Sequence, residues 1–128
     1  MKKILTLICC TIVLAATSCK KETVVRNESP SATTIFDTTP AFVINNDVHG
    51  YTATLSVPEI TDYYDKHGAV LVYLDDNGTY EQLPDVYDGV TYRAVYAKGT
   101  LYIDAQNADG SMLSSAPPAL KLKIVLVP

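Results

Sequence analysis

From Leu120 to Val127 the chain alternates: Leu120, Leu122, Ile124 and Leu126 fall on one parity, Lys121, Lys123, Val125 and Val127 on the other. Period two is the signature of a β-strand with one buried and one wet face, because successive side chains leave opposite sides of the pleat. Tyr51-Thr52-Ala53-Thr54-Leu55-Ser56-Val57 repeats it, with hydroxyl residues on the wet parity. Val90 to Ala97 sets Val90, Tyr92, Ala94 and Tyr96 against Thr91, Arg93 and Val95. These registers turn Tyr51, Tyr92 and Tyr96 inward. Ala69 to Leu74 is apolar on both parities, as in a central strand covered on two faces.

Turn residues divide these segments. Asn77-Gly78, after Asp75-Asp76, supplies the positive φ angles of a tight hairpin and returns Thr79–Leu83 beside the central strand. Lys98-Gly99 turns the Val90 strand into Thr100–Ala105, Asn107–Ser111 is a loop, and Pro117-Pro118 stiffens the approach to the last strand. Pro58 ends the first strand, and Glu59–His67 carries one short helical turn, with Thr61 at its start and Gly68 at its end. The pattern predicts an all-β domain over 35–128, a single antiparallel β-sandwich of about six to eight short strands with one helical turn near 59–67. An open barrel is the alternative. The last strand is left as a candidate edge.

The N-terminus has another logic. Lys2 and Lys3 precede an apolar run of 13 residues, Ile4 to Ala16, followed by Thr17, Ser18 and Cys19. This is the layout of an export signal, and the run is shorter than the roughly 20 apolar residues that span a bilayer core. Ala16-Thr17-Ser18-Cys19 resembles the lipobox of bacterial lipoproteins, with Ala16 where that family usually has leucine. The resemblance implies a signal peptide over 1–18 that is removed and a lipid on Cys19. Several acyl chains at about 0.8 kcal/mol per buried methylene would make such an anchor effectively permanent. Residues 19–34 are then the lipidated cysteine and a polar, Ser- and Thr-rich tether.

Cysteine and charge fit an exported product. Cys9 and Cys10 leave with the signal, so no disulfide forms within the processed chain and its stability rests on burial. Counted from Cys19 there are eight basic and fourteen acidic residues, a formal charge of −6. That balance argues against nucleic acid and against adsorption to anionic lipid.

Val57-Pro58-Glu59-Ile60-Thr61, His67-Gly68-Ala69-Val70-Leu71-Val72-Tyr73 and the closing Leu122–Pro128 together resemble small lipoproteins of Bacteroidetes-type bacteria. In that family a C-terminal β-domain of no established activity sometimes follows collagen-like repeats. The likeness covers about Tyr51 to Pro128 and implies packing, not chemistry. The repeats, and the tryptophans that relatives often carry, are missing from this chain. Lipid anchorage in the cell envelope, at the outer membrane on its periplasmic or external side, is the expected address.

Chemistry is sparse. His49 and His67 are the only histidines and lack the spacing that joins two imidazoles on one ion, so no metal site is expected. Asp75, Asp76, Asp85, Asp88 and Asp109 offer hard oxygen donors for calcium but follow no EF-hand order, and turn geometry accounts for Asp75-Asp76-Asn77-Gly78. There is no nucleophile elbow and no redox cysteine pair, so neither an enzyme nor a cofactor is expected. Nine tyrosines remain. Tyr63, Tyr64, Tyr80 and Tyr87 lie in or beside connections, where a wet ring is a candidate for stacking on a glycan or anchoring a protein. Two functional classes follow: a tethered, non-enzymatic binding or adhesion module, or a structural envelope component without a soluble ligand. They differ in whether these rings form one exposed patch.

Overall fold

The structure, a computed structural model, describes residues 32–128. The predicted signal peptide, Cys19 and the tether as far as residue 31 lie outside the described residues. Nine strands form two antiparallel sheets: β1 (Thr33–Thr38), β2 (Val43–Asn45), β3 (Gly50–Ser56), β4 (Ala69–Asp76), β5 (Thr79–Gln82), β6 (Asp85–Tyr87), β7 (Val90–Ala97), β8 (Thr100–Asn107) and β9 (Lys121–Val127). One sheet has the order β1-β9-β4-β5, the other β2-β3-β8-β7-β6. The chain is thus the all-β sandwich that its alternation predicts. Two short helical turns occur among the described residues, a 3-10 turn at Asn46–Val48 between β2 and β3 and α1 (Asp62–Lys66), which joins β3 to β4. Among the described residues no helix is long and apolar enough to cross a membrane.

The core is the inward parity of β3, β4, β7, β8 and β9. Leu122, Ile124 and Leu126 of β9 and Val72 and Leu74 of β4 face Ala53 and Leu55 of β3, Tyr92 of β7, and Leu101, Ile103 and Ala105 of β8. Each large aliphatic side chain withdrawn this way contributes about 1.5–3 kcal/mol. Connections close the ends: Phe42, Val57, Ile60, Tyr64, Leu83 and Leu113 are all buried. Tyr51 and Tyr96 pack against this core and Tyr92 lies within it, as predicted.

Two glycines are required by close approach. A Cβ on Gly50 would overlap the Ala105 carbonyl oxygen of the neighbouring β8. One on Gly68 would stand 2.6 Å from the Val127 carbonyl oxygen and 2.8 Å from the Tyr64 ring. Gly68 therefore lets α1 lie against the end of β9. Thr61 occupies the N-cap position of α1 without a side-chain capping bond, so the turn is held by tertiary contact more than by its caps.

Three details differ from the sequence reading. β9 is not an edge: it lies between β1 and β4, because Thr33 to Thr38 pair with it over Leu126 to Lys121. β1 takes in Thr33 and Thr34, beyond the expected domain start at Ile35. Among the described residues the strands number nine because short segments, β2 and β6, line the edges of the second sheet. Asp88-Gly89, with φ of 50° and 77°, makes the β6–β7 turn as Asn77-Gly78 makes the β4–β5 turn, with φ of 51° and 89°.

Candidate functional site

The outward parity of the four-stranded sheet carries the feature least explained by packing. Across it run Phe36 of β1, Lys123 of β9, Tyr73 of β4 and Gln82 of β5, in register. Tyr80, on the same face of β5, stands opposite Asp75. The alternation that turns Ile35 and Ile124 inward leaves Phe36 on the water side, 63% exposed, with Tyr80 40% exposed. Their rings lean together over the intervening strands, with centroids 6.5 Å apart and tilted by 46°.

Lys123 is held within this group. Its Nζ lies 3.8 Å from the Tyr80 ring centroid and 4.6 Å from that of Tyr73. Ring quadrupoles attract an ammonium by about 0.5–1 kcal/mol at exposed sites without neutralising its charge. Lys121 follows on the same parity of β9, roughly 6.5 Å further along at about 3.3 Å per residue.

The other described cations are committed to carboxylates. Lys66 and Lys98 approach Asp62 at 3.9 and 2.7 Å, and Arg93 lies 2.9 Å from Asp104. Lys121 and Lys123 have no carboxylate within 4 Å among the described residues. Asp75, the acid on the same face, accepts from the Gly78 N–H at 2.8 Å. The face therefore combines exposed rings with two lysines that make no ion pair among the described residues, Lys121 sharing a hollow with Asp75, Asp76 and Glu81, on a domain that is otherwise acidic.

The four tyrosines singled out by sequence do not form one patch. Tyr64 is only 4% exposed and belongs to the core, because α1 turns it beneath the end of the sandwich. Tyr63 is half-buried and meets Tyr64 edge-on at 5.7 Å. Both lie at the Ala69–Val127 end of the sheet. Tyr80 and Tyr87 belong to the opposite end, near the β4–β5 hairpin. Tyr87, 43% exposed, lines an open hollow of about 280 Å³ with Leu74, Glu81, Pro118 and Lys121. Tyr80 alone of the four joins the aromatic face, while Phe36, Tyr73, Lys121 and Lys123 carry the rest of it. The available signal for Phe36 was the β-branched run Thr33-Thr34-Ile35, which makes Phe36 the outward neighbour of an inward isoleucine.

Elsewhere among the described residues no buried side-chain nitrogen or oxygen lacks a hydrogen-bond partner. On the outer face of the other sheet Asn45 Nδ2 donates to Thr52 Oγ1 at 3.0 Å, which donates to Asp104 Oδ1 at 2.6 Å, while Arg93 takes Oδ2. Every oxygen in that row has a partner. Beside the Tyr87 hollow a hydrogen bond with Asp85 raises the Glu81 carboxyl above its ordinary range, with Asp85 and Asp76 charges adding to the shift. Among the described residues no group of three or more His, Cys, Asp or Glu is placed to hold a metal ion. Comparison with protein families, with curated proteins and with solved structures finds no match.

Proposed function

We propose that this chain is an extracytoplasmic lipoprotein of the cell envelope, tethered to the outer membrane through a lipid on Cys19, whose sandwich acts as a non-enzymatic binding or adhesion module. The aromatic face is its binding surface. The observation that carries this reading is Phe36. A phenylalanine 63% exposed on the wet parity of a strand, drawn to a second exposed ring, adds nothing to the core and leaves apolar area available to a partner. The tether supports it: the basic pair, short apolar run and small residues before Cys19 describe a chain displayed on a lipid surface.

Two measurements test the reading. Mass spectrometry of the full chain, produced in a bacterium that processes lipoproteins, is expected to find an acylated peptide beginning at Cys19; a bare cysteine or an uncut leader removes the tether. Arrays of envelope glycans and surface proteins are expected to retain the wild-type chain and release Phe36→Ala. Retention that ignores Phe36 excludes this face, and no retention at all favours a structural component without a soluble ligand.

A further inference from the structure

Resting on the binding reading above, we infer that the face bearing Phe36, Tyr80, Lys121 and Lys123 takes an acidic oligosaccharide, a short glycan with an isolated carboxylate or sulfate. Three observations converge. Phe36 and Tyr80 offer exposed rings 6.5 Å apart on an open sheet face, where the C–H side of a sugar ring stacks without needing a deep cavity. Lys121 and Lys123 are the described cations with no carboxylate within 4 Å, and both share this parity of β9 with those rings. Lys123 is positioned in advance by Tyr73 and Tyr80, so an anion meets an ammonium whose freedom is already reduced and whose charge is intact.

The surroundings narrow the ligand further. Residues 32–128 hold twelve acidic and five basic residues, so an extended polyanion or an anionic bilayer would meet repulsion beyond the two lysines. A small glycan with one or two charges can seat its anion at Lys123, clear of the Asp75, Asp76 and Glu81 carboxylates that line the hollow beside Lys121. A purely neutral sugar would use the rings and leave the ammonium groups idle.

The test uses the full chain in neutral detergent and two matched probe pairs: sialyllactose against lactose, and trigalacturonate against its methyl ester, followed by saturation-transfer NMR and titration. At least one acidic probe is expected to bind about tenfold or more tightly than its neutral counterpart, the loss that follows removal of a charge-assisted hydrogen bond. The preference should weaken with salt and vanish in the double variant Lys121→Gln with Lys123→Gln, melting as the wild type does. Phe36→Ala should weaken both members of a pair. Equal binding of charged and neutral probes, with Phe36 still required, overturns the acidic preference while the binding face stands. Failure of all four sugars, or capture by phosphatidylglycerol vesicles through the same lysines, overturns the inference. The binding reading itself falls if the arrays retain nothing, or if Phe36→Ala leaves the array profile unchanged.

Discussion

Arg93 Nε lies 2.9 Å from Asp104 Oδ2, directly across the β7–β8 pair, and Asp104 is buried to 6% exposure on a sheet face that elsewhere meets water. The Thr52 hydroxyl donates to the other oxygen, so one carboxylate ties β3, β8 and β7 together. Asp104→Ala would strip Thr52 of its acceptor and Arg93 of its counter-ion. An unmade hydrogen bond to a buried partner costs about 1–3 kcal/mol. A domain of this size loses roughly 4–8 °C of Tm per kcal/mol. Calorimetry of the full chain should show that drop, with a smaller one for Thr52→Val.

Strand parity makes a paired prediction on β9. Ile124 is fully buried and Val125 is half-buried on the outward side. Ile124→Ala should cost about 2–5 kcal/mol through lost burial and the cavity left behind. Val125→Ala should cost less than half as much. Equal midpoints in urea denaturation would contradict the register of the central pair.

The glycines separate space from backbone conformation. Gly50→Ala must push the β3 backbone away from the Ala105 carbonyl and should be the most damaging glycine change. Gly78 has open space around it but a φ of +89°, so Gly78→Ala should cost only about 1–2 kcal/mol. Midpoints ranking these two in the opposite order would refute the close approach of β3 to β8.

Two carboxyl groups give opposite pH signatures. The hydrogen bond with Asp85 raises Glu81, so the folded chain holds that proton more tightly than the unfolded one. Stability is then greatest with Glu81 protonated and falls from about pH 4 upward, through the raised value. Lys98 holds Asp62 below its ordinary range, so that contribution is complete above about pH 4 and is lost as pH falls through the lowered value. At low salt Glu81→Gln should melt higher than the wild type near neutrality and Asp62→Asn lower. Both gaps should close in acid, and a Tm series across that range reads them together.

Phe36 should separate stability from binding. An exposed side chain away from the core changes stability by no more than about 0.5 kcal/mol on removal. Phe36→Ala should therefore melt within a few degrees of the wild type while losing whatever the aromatic face retains. A large fall in Tm would make Phe36 a packing residue after all.

How far the sequence went depends on how local the signal was. The β9 alternation, the Asn77-Gly78 and Lys98-Gly99 turns and the inward tyrosines of β3 and β7 were legible because each needs only a residue and its near neighbours along the chain. β1 escaped, since six exposed or half-buried residues next to a polar stretch show little periodicity until β9 lies beside them. β6 is only three residues long, and its turn signal, Asp88-Gly89, is as strong as the one that was read. Tyr64 and Tyr80 looked alike as connection residues, yet α1 buries one and β5 exposes the other.

By itself the sequence determined the all-β class and the main strand registers, because backbone period and turn chemistry are properties of short segments. Tertiary structure alone decided that Phe36, from the first strand, meets Tyr80, from the fifth, around a lysine of the last. No spacing along a chain encodes that meeting; it arises when packing of Ile35, Ile124 and Leu74 on one side of a sheet commits their neighbours to the other.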